Sequence, residues 1–190
     1  LRRNSIEVLQ ELPELIQINE YCSWDGTDYD FYLKSVNAGN FMGMRRAGYV
    51  PLREGVLPNK LARIVELVDE SFESGKKVLI FSYFKDVLEL VSRTLGEKAM
   101  GPITGAVSSA RRQELVDSFT QSNKPVALVG QIQAAGTGLN IQASSVVILC
   151  EPQIKPSLEV QAIARAHRMG QVNSVQVHRM LISQGIDELL

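Results

Sequence analysis

The chain has 190 residues, 45% of them hydrophobic and 22% charged, with a formal net charge of −1. That balance is ordinary for a globular chain, so disorder is not the default. It also excludes a simple polycationic coat for nucleic acid, so any grip on phosphate must come from local groups.

The length suits one α/β domain of about 130–150 residues with an appendage. The two cysteines, Cys22 and Cys150, are isolated and match no metal spacing. They indicate a reducing compartment, the cytoplasm, or the nucleus if the source is eukaryotic. No apolar run approaches the ~20 residues of a membrane span. The start at Leu1, without an initiator Met or a signal peptide, reads as a piece of a longer protein.

Residues 1–57 lack sustained periodicity and read as a linker with a helical appendage. Leu15-Ile16-Gln17-Ile18 is a short strand candidate. Trp24-Asp25-Gly26 and Asn37-Ala38-Gly39-Asn40 carry turn chemistry. Residues 58–190 read as the main domain. Leu61, Ile64, Val65, Val68 and Phe72 fall at helical spacing, and Gly75 stops that helix. Lys77 to Ser82 is a continuous apolar run, expected of a strand buried on both faces.

A helix over 84–95 follows, with Val87, Leu88, Leu90, Val91 and Leu95 inward. Met100 to Thr104 reads as a strand. Ser108 caps a helix to about 121, with Leu115, Val116 and Phe119 inward. Val126–Val129 and Val146–Leu149 are strands, 156–168 a helix, and Val175–Ile182 the last strand. Such alternation predicts an α/β fold with a mainly parallel sheet covered on both faces. Ligands of such sheets sit beyond the C-terminal ends of the strands.

Three motifs carry chemistry. On a helix, Gln161, Arg165 and Arg168 share a face, and two guanidiniums beside an amide suit phosphate oxygens. A solvated helix end is the competing reading. Gln131 to Asn140 follows a strand and contains Gly136 and Gly138, which let backbone amides approach a ligand; packing alone also explains such glycines. Ser82-Tyr83-Phe84 and Thr104-Gly105 lie at strand ends, where hydroxyls and amides either meet backbone phosphates or cap helices. No GxxxxGK[ST] is present, and Gly75-Lys76-Lys77 lacks the upstream glycine and the hydroxyl.

In this order the motifs resemble the second lobe of Swi/Snf-type ATPases, a helicase-like family of superfamily 2. Arg165-Ala166-His167-Arg168-Met169-Gly170-Gln171 is the most specific part, and DEAD-box helicases carry a different signature there. Leu1-Arg2-Arg3 and Leu12-Pro13 look like the segment that joins the two lobes.

The resemblance implies a RecA-like lobe without a Walker A motif. It implies arginine fingers at Arg165 and Arg168, with Gln161 orienting them. Gly136 and Gly138 match the motif that couples nucleotide to DNA. Ser82, Tyr83, Thr104, Gly105, Gln131 and Gln133 match positions at the tracked strand's backbone. The implied partners are double-stranded DNA and an N-terminal RecA-like lobe. That lobe would hold most of the ATP and Mg2+, so this chain alone is expected to be inactive.

Three departures, Ala135, the segment from Glu151 to Pro156, and His178, look bacterial. Two alternatives stay open: a non-catalytic docking module and a lobe of an RNA helicase.

Overall fold

Residues 13–50, 54–135, 141, 143–167 and 173–190 are described by the structure, a computed structural model. Six strands, β1 (Leu15–Cys22), β2 (Lys77–Ser82), β3 (Ala99–Ile103), β4 (Ala127–Gln131), β5 (Ser144–Leu149) and β6 (Val175–Ile182), form one sheet. All pairings are parallel, in the order β1-β6-β5-β2-β4-β3. The helices are α1 (Thr27–Asn37), α2 (Phe41–Arg46), α3 (Asn59–Glu73), α4 (Lys85–Leu95), α5 (Ser109–Gln121), α6 (Ile132–Ala135) and α7 (Pro156–Ala166).

The apolar run of β2 feeds two layers, because successive side chains point to opposite faces. Val78 and Ile80 pack with Leu61, Ile64 and Val68 of α3 and with Val87, Leu88 and Val91 of α4. Leu79 and Phe81 pack with Leu115, Val116 and Phe119 of α5 and with Ala162 and Ala166 of α7. Burial of each large side chain contributes roughly 1.5–3 kcal/mol. The α/β expectation, with helices on both faces, describes what is found.

Two readings change. The strand candidate near Leu15 extends to eight residues, all paired with β6, so the sheet takes an edge strand from before residue 58. The helix expected over 156–168 ends at Ala166, and His167 leaves helical geometry at φ −90° and ψ 91°. Arg168, the third member of the expected shared face, lies outside the described residues.

Gly101 in β3 has φ +103°, and a Cβ there would lie 2.5 Å from the Val129 carbonyl oxygen. That carbonyl belongs to β4, which is held between β2 and β3, so it cannot yield. Gly101→Ala is expected to cost on the order of 2–3 kcal/mol, read as a lower urea midpoint.

At the start of α1, Asp25 and Asp28 cap each other: each carboxylate accepts the other's backbone N–H, at 2.8 and 3.1 Å. Asp28 is only 2% exposed. Burial first, and then the bond it shares with Asp25, push its carboxyl up from 3.8 to about 6. The fold thus prefers the protonated pair. The stability this contributes is full below about pH 3.8 and is lost as pH rises through about 6. Asp28→Asn removes the charge and is expected to raise the thermal midpoint at pH 8 by roughly 2–4 °C. The same scan at pH 4 is expected to show no gain.

Candidate functional site

β2 lies between β4 and β5, and the chain builds the sheet outward in both directions from it. The crevice past the C-terminal end of β2 is therefore the switch point where such sheets take ligands. Ser82-Tyr83, Thr104-Gly105 and Gln131 stand at this edge, followed by Gln133 in α6.

Hydrogen bonds join them into one cluster. Gln131 Nε2 donates to the Tyr83 carbonyl at 3.2 Å, and its Oε1 accepts the Gly105 N–H at 3.3 Å. Gln133 Nε2 donates to the same Tyr83 carbonyl at 3.4 Å. Arg112 of α5 fastens the adjoining loop, donating to the carbonyls of Thr104, Val107 and Ala134 at 3.1–3.4 Å.

Glu151, just past β5, organises the inner side. Its carboxylate accepts the Tyr83 N–H at 2.7 Å, the Ser82 hydroxyl at 2.9 and 3.0 Å, and Gln153 Nε2 at 3.2 Å. It is fully buried. Burial pushes its carboxyl above the ordinary range, against the pull of the Tyr83 N–H, the Lys60 charge, Ser82 and Gln153.

Arg45 of α2, 2% exposed, lies 5.1 and 5.0 Å from the ring centres of Tyr83 and Phe84. It donates to the Pro152 carbonyl and to Gln153 Oε1. A cleft of about 340 Å³ opens beside them, lined by Met42, Arg45, Tyr83, Gln133, Gln153 and Leu158 among others.

The burial bears on two of the expected contact residues. The Ser82 side chain is 0% exposed and Gln131 8%. Their polar atoms are committed to Glu151, Tyr83 and Gly105, so neither side chain reaches an external phosphate as placed. They set the Tyr83 and Gly105 backbone instead. Tyr83, Thr104, Gly105 and Gln133 form the accessible rim.

α7 leaves β5 at this carboxyl edge and runs back toward the start of β6. Its last turn therefore lies at the opposite, amino edge of the sheet. There the Ile141 N–H donates to the Arg165 carbonyl at 3.1 Å. His167 Nε2 meets the Pro13 carbonyl at 2.7 Å, just before β1. Gln161 is exposed one turn before Arg165, whose Nε–H donates to the Gln161 carbonyl at 3.2 Å.

Arg165 and the Tyr83 cluster thus stand at opposite edges of the sheet. Arg168, Gly136 and Gly138 lie outside the described residues. Ile141, directly after the glycine motif, is nonetheless bonded to the arginine helix.

The donor set fits an anion brought from outside, since a guanidinium matches phosphate oxygens. It does not fit Mg2+ at the carboxyl edge, because the Glu151 carboxylate is enclosed and already accepts three donor groups. Four residues that position this edge carry no motif in the sequence: Arg45, Arg112, Glu151 and Gln153. A carboxylate directly after an apolar strand was the available signal for Glu151. Arg45 and Arg112 gave none, since isolated arginines read as surface.

Residues 59–170 match the family described as "Helicase conserved C-terminal domain". A Caenorhabditis elegans homolog of "SWI/SNF-related matrix-associated actin-dependent regulator of chromatin subfamily A-like protein 1" is 38% identical over 202 residues, spanning all of this chain and 29% of that protein. A Mycoplasma pneumoniae "Uncharacterized ATP-dependent helicase" is 27% identical over 210 residues, 99% of this chain and 20% of that protein. The chain thus spans less than a third of either relative.

Among solved structures, the C-terminal part of the Fun30 ATPase domain superposes with a TM-score of 0.82 at 19% identity, covering 94% of this chain and 88% of that one. The Sulfolobus solfataricus SWI2/SNF2 ATPase C-terminal domain gives 0.70 at 18%, covering 93% and 83%. These two likenesses concern the fold.

Proposed function

The chain belongs to the helicase C-terminal domain family, in its Swi/Snf-type branch, and from that premise we propose that it is the second lobe of a DNA-dependent ATPase that translocates on double-stranded DNA. In this reading a separate N-terminal lobe holds ATP and Mg2+, and this lobe completes the site by presenting Arg165 and Arg168. A guanidinium supplied across a cleft stabilises charge on the transferring phosphoryl group and raises hydrolysis by roughly 10³–10⁵. Gln161, one turn before Arg165, orients it, and Gly136 and Gly138 lie against the nucleotide.

The carboxyl edge takes the other role. The Thr104 hydroxyl and the second N–H of the Gln133 amide present donors at the accessible rim, with the exposed Gly105 and the Tyr83 ring beside them. Such groups hold backbone phosphates without reading bases. ATP supplies the energy, and the two lobes moving against each other would advance the strand. The cytoplasm or bacterial nucleoid is the proposed compartment.

One observation carries this reading most. The bond from the Ile141 amide to the Arg165 carbonyl ties the residue that follows the glycine motif to the last turn of the arginine helix. Ile141 and Arg165 meet although 24 residues separate them in sequence.

The nucleic-acid class is tested by stimulation. Turnover by a protein that includes both lobes is expected to rise with double-stranded DNA and not with RNA. Stimulation by RNA alone would assign the lobe to an RNA helicase. No stimulation by either would favour a docking module.

A further inference from the structure

α7 spans the two edges that the proposed function assigns to different ligands. It has 11 residues, and at 1.5 Å per residue it is a rod of roughly 16 Å. Its last turn carries Arg165. Its first turn carries Glu159, and Glu159 is fastened twice.

Glu159 Oε2 accepts the Gln153 N–H at 2.9 Å. Its two oxygens also take the fork of Arg179 on β6, at 2.9 and 3.2 Å. From Gln153 the bonding continues inward. Its Nε2 donates to the Glu151 carbonyl at 2.9 Å and to the Glu151 carboxylate at 3.2 Å. The Glu151 carboxylate holds the Tyr83 N–H, and the Tyr83 carbonyl holds Gln131 and Gln133.

An unbroken hydrogen-bonded path thus leads from the accessible rim at Tyr83 and Gln133 to the first turn of the arginine helix. Its middle is sealed from water: Glu151 is 0% and Gln153 3% exposed. In that setting each bond is strong and an unmet donor is costly, so a shift at Tyr83 cannot be absorbed by solvent.

We propose that Glu159 is a positioning residue, through which nucleic acid held at Tyr83 and Gln133 sets the α7 rod and with it the reach of Arg165. It touches neither ligand. The Arg179 fork fixes the helix to the sheet, and the Gln153 bond ties it to the rim. This inference rests on the proposed function.

The test uses the full protein with both lobes and compares ATP turnover with and without double-stranded DNA. Glu159→Gln removes the charge that holds Arg179 and leaves the Gln153 N–H only a neutral, weaker acceptor, so both links are loosened. It is expected to lower the DNA stimulation factor about tenfold. Basal turnover, KM for ATP and DNA affinity are expected to stay within about twofold, a split that general loosening of the fold would not give. Arg179→Gln should reproduce the effect, and the double variant should be no worse than either single one.

Equal loss of basal and stimulated turnover, or unchanged stimulation, would overturn the inference. Arg165→Ala, assayed alongside, separates the two failures. Full turnover in that variant would overturn the proposed function itself, whereas its loss with stimulation intact in Glu159→Gln would sink only the role of Glu159.

Discussion

Arg165→Ala, in a protein that joins this chain to its P-loop lobe, is expected to lower ATP turnover by about 10³-fold or more. DNA affinity is expected to change by less than about twofold. The reason for the split is geometric. Arg165 ends α7 at the amino edge of the sheet, whereas Tyr83, Thr104, Gly105 and Gln133 stand at the carboxyl edge. A substitution at one edge leaves the other edge's hydrogen bonds intact. Arg168→Ala is expected to act in the same way, on the strength of its place in the family motif. Steady-state phosphate release and a DNA-binding titration on the same variants check both halves. Intact hydrolysis with lost DNA binding would reverse the assignment of the two edges.

The second large effect concerns stability. Lys60 and Asp187 form an ion pair at 2.7 Å with side chains only 1% exposed. The Lys60 ammonium also donates to the Cys150 carbonyl at 3.3 Å and lies 5.2 Å from the Tyr49 ring centre. Tyr49 donates to that same carbonyl at 2.6 Å. Asp187 further accepts the Ile182 N–H at 2.9 Å. The pair thus clips the C-terminal turn to α3 and to the end of β5, next to Glu151.

Asp187→Ala strands a buried ammonium and is expected to cost about 3–5 kcal/mol. In a thermal scan that is a fall of roughly 10 °C or more for a chain of this size. The charge itself is not what stabilises. Lys60→Met combined with Asp187→Leu is expected to recover most of the loss, because an apolar pair carries no desolvation cost. A single Asp187→Ala variant that melts like the parent would contradict the burial of this pair.

Much of the fold was legible because its signals are local. The apolar runs at Lys77–Ser82 and Val146–Leu149, the helical spacing of Val87, Leu88, Val91 and Leu95, and the Ser108 cap each require only a few neighbouring residues. β1 was only half legible. Its partner, β6, lies about 160 residues away, and a short run such as Leu15-Ile16-Gln17-Ile18 cannot announce such a pairing.

The site was legible in its members but not in its geometry. Motif order brought out Tyr83, Thr104, Gln131, Gln133 and Arg165. It could not say that α7 carries Arg165 back to the other edge of the sheet. Nor could it tell a hydroxyl that faces solvent from Ser82, whose hydroxyl is spent on Glu151. Polar residues at strand ends look alike in sequence, and only packing decides which of them water can reach. Glu151 shows the converse, since a carboxylate that reads as a simple departure from a family pattern proves to hold the Tyr83 backbone.

The most direct test of the central claim is ATP turnover measured on this chain alone and on the protein that includes its P-loop lobe, each with and without double-stranded DNA. The account predicts no turnover from residues 1–190, and turnover from the two-lobe protein that rises when DNA is added. Hydrolysis by the isolated chain at the rate of the whole protein, or a two-lobe rate indifferent to DNA, would contradict it.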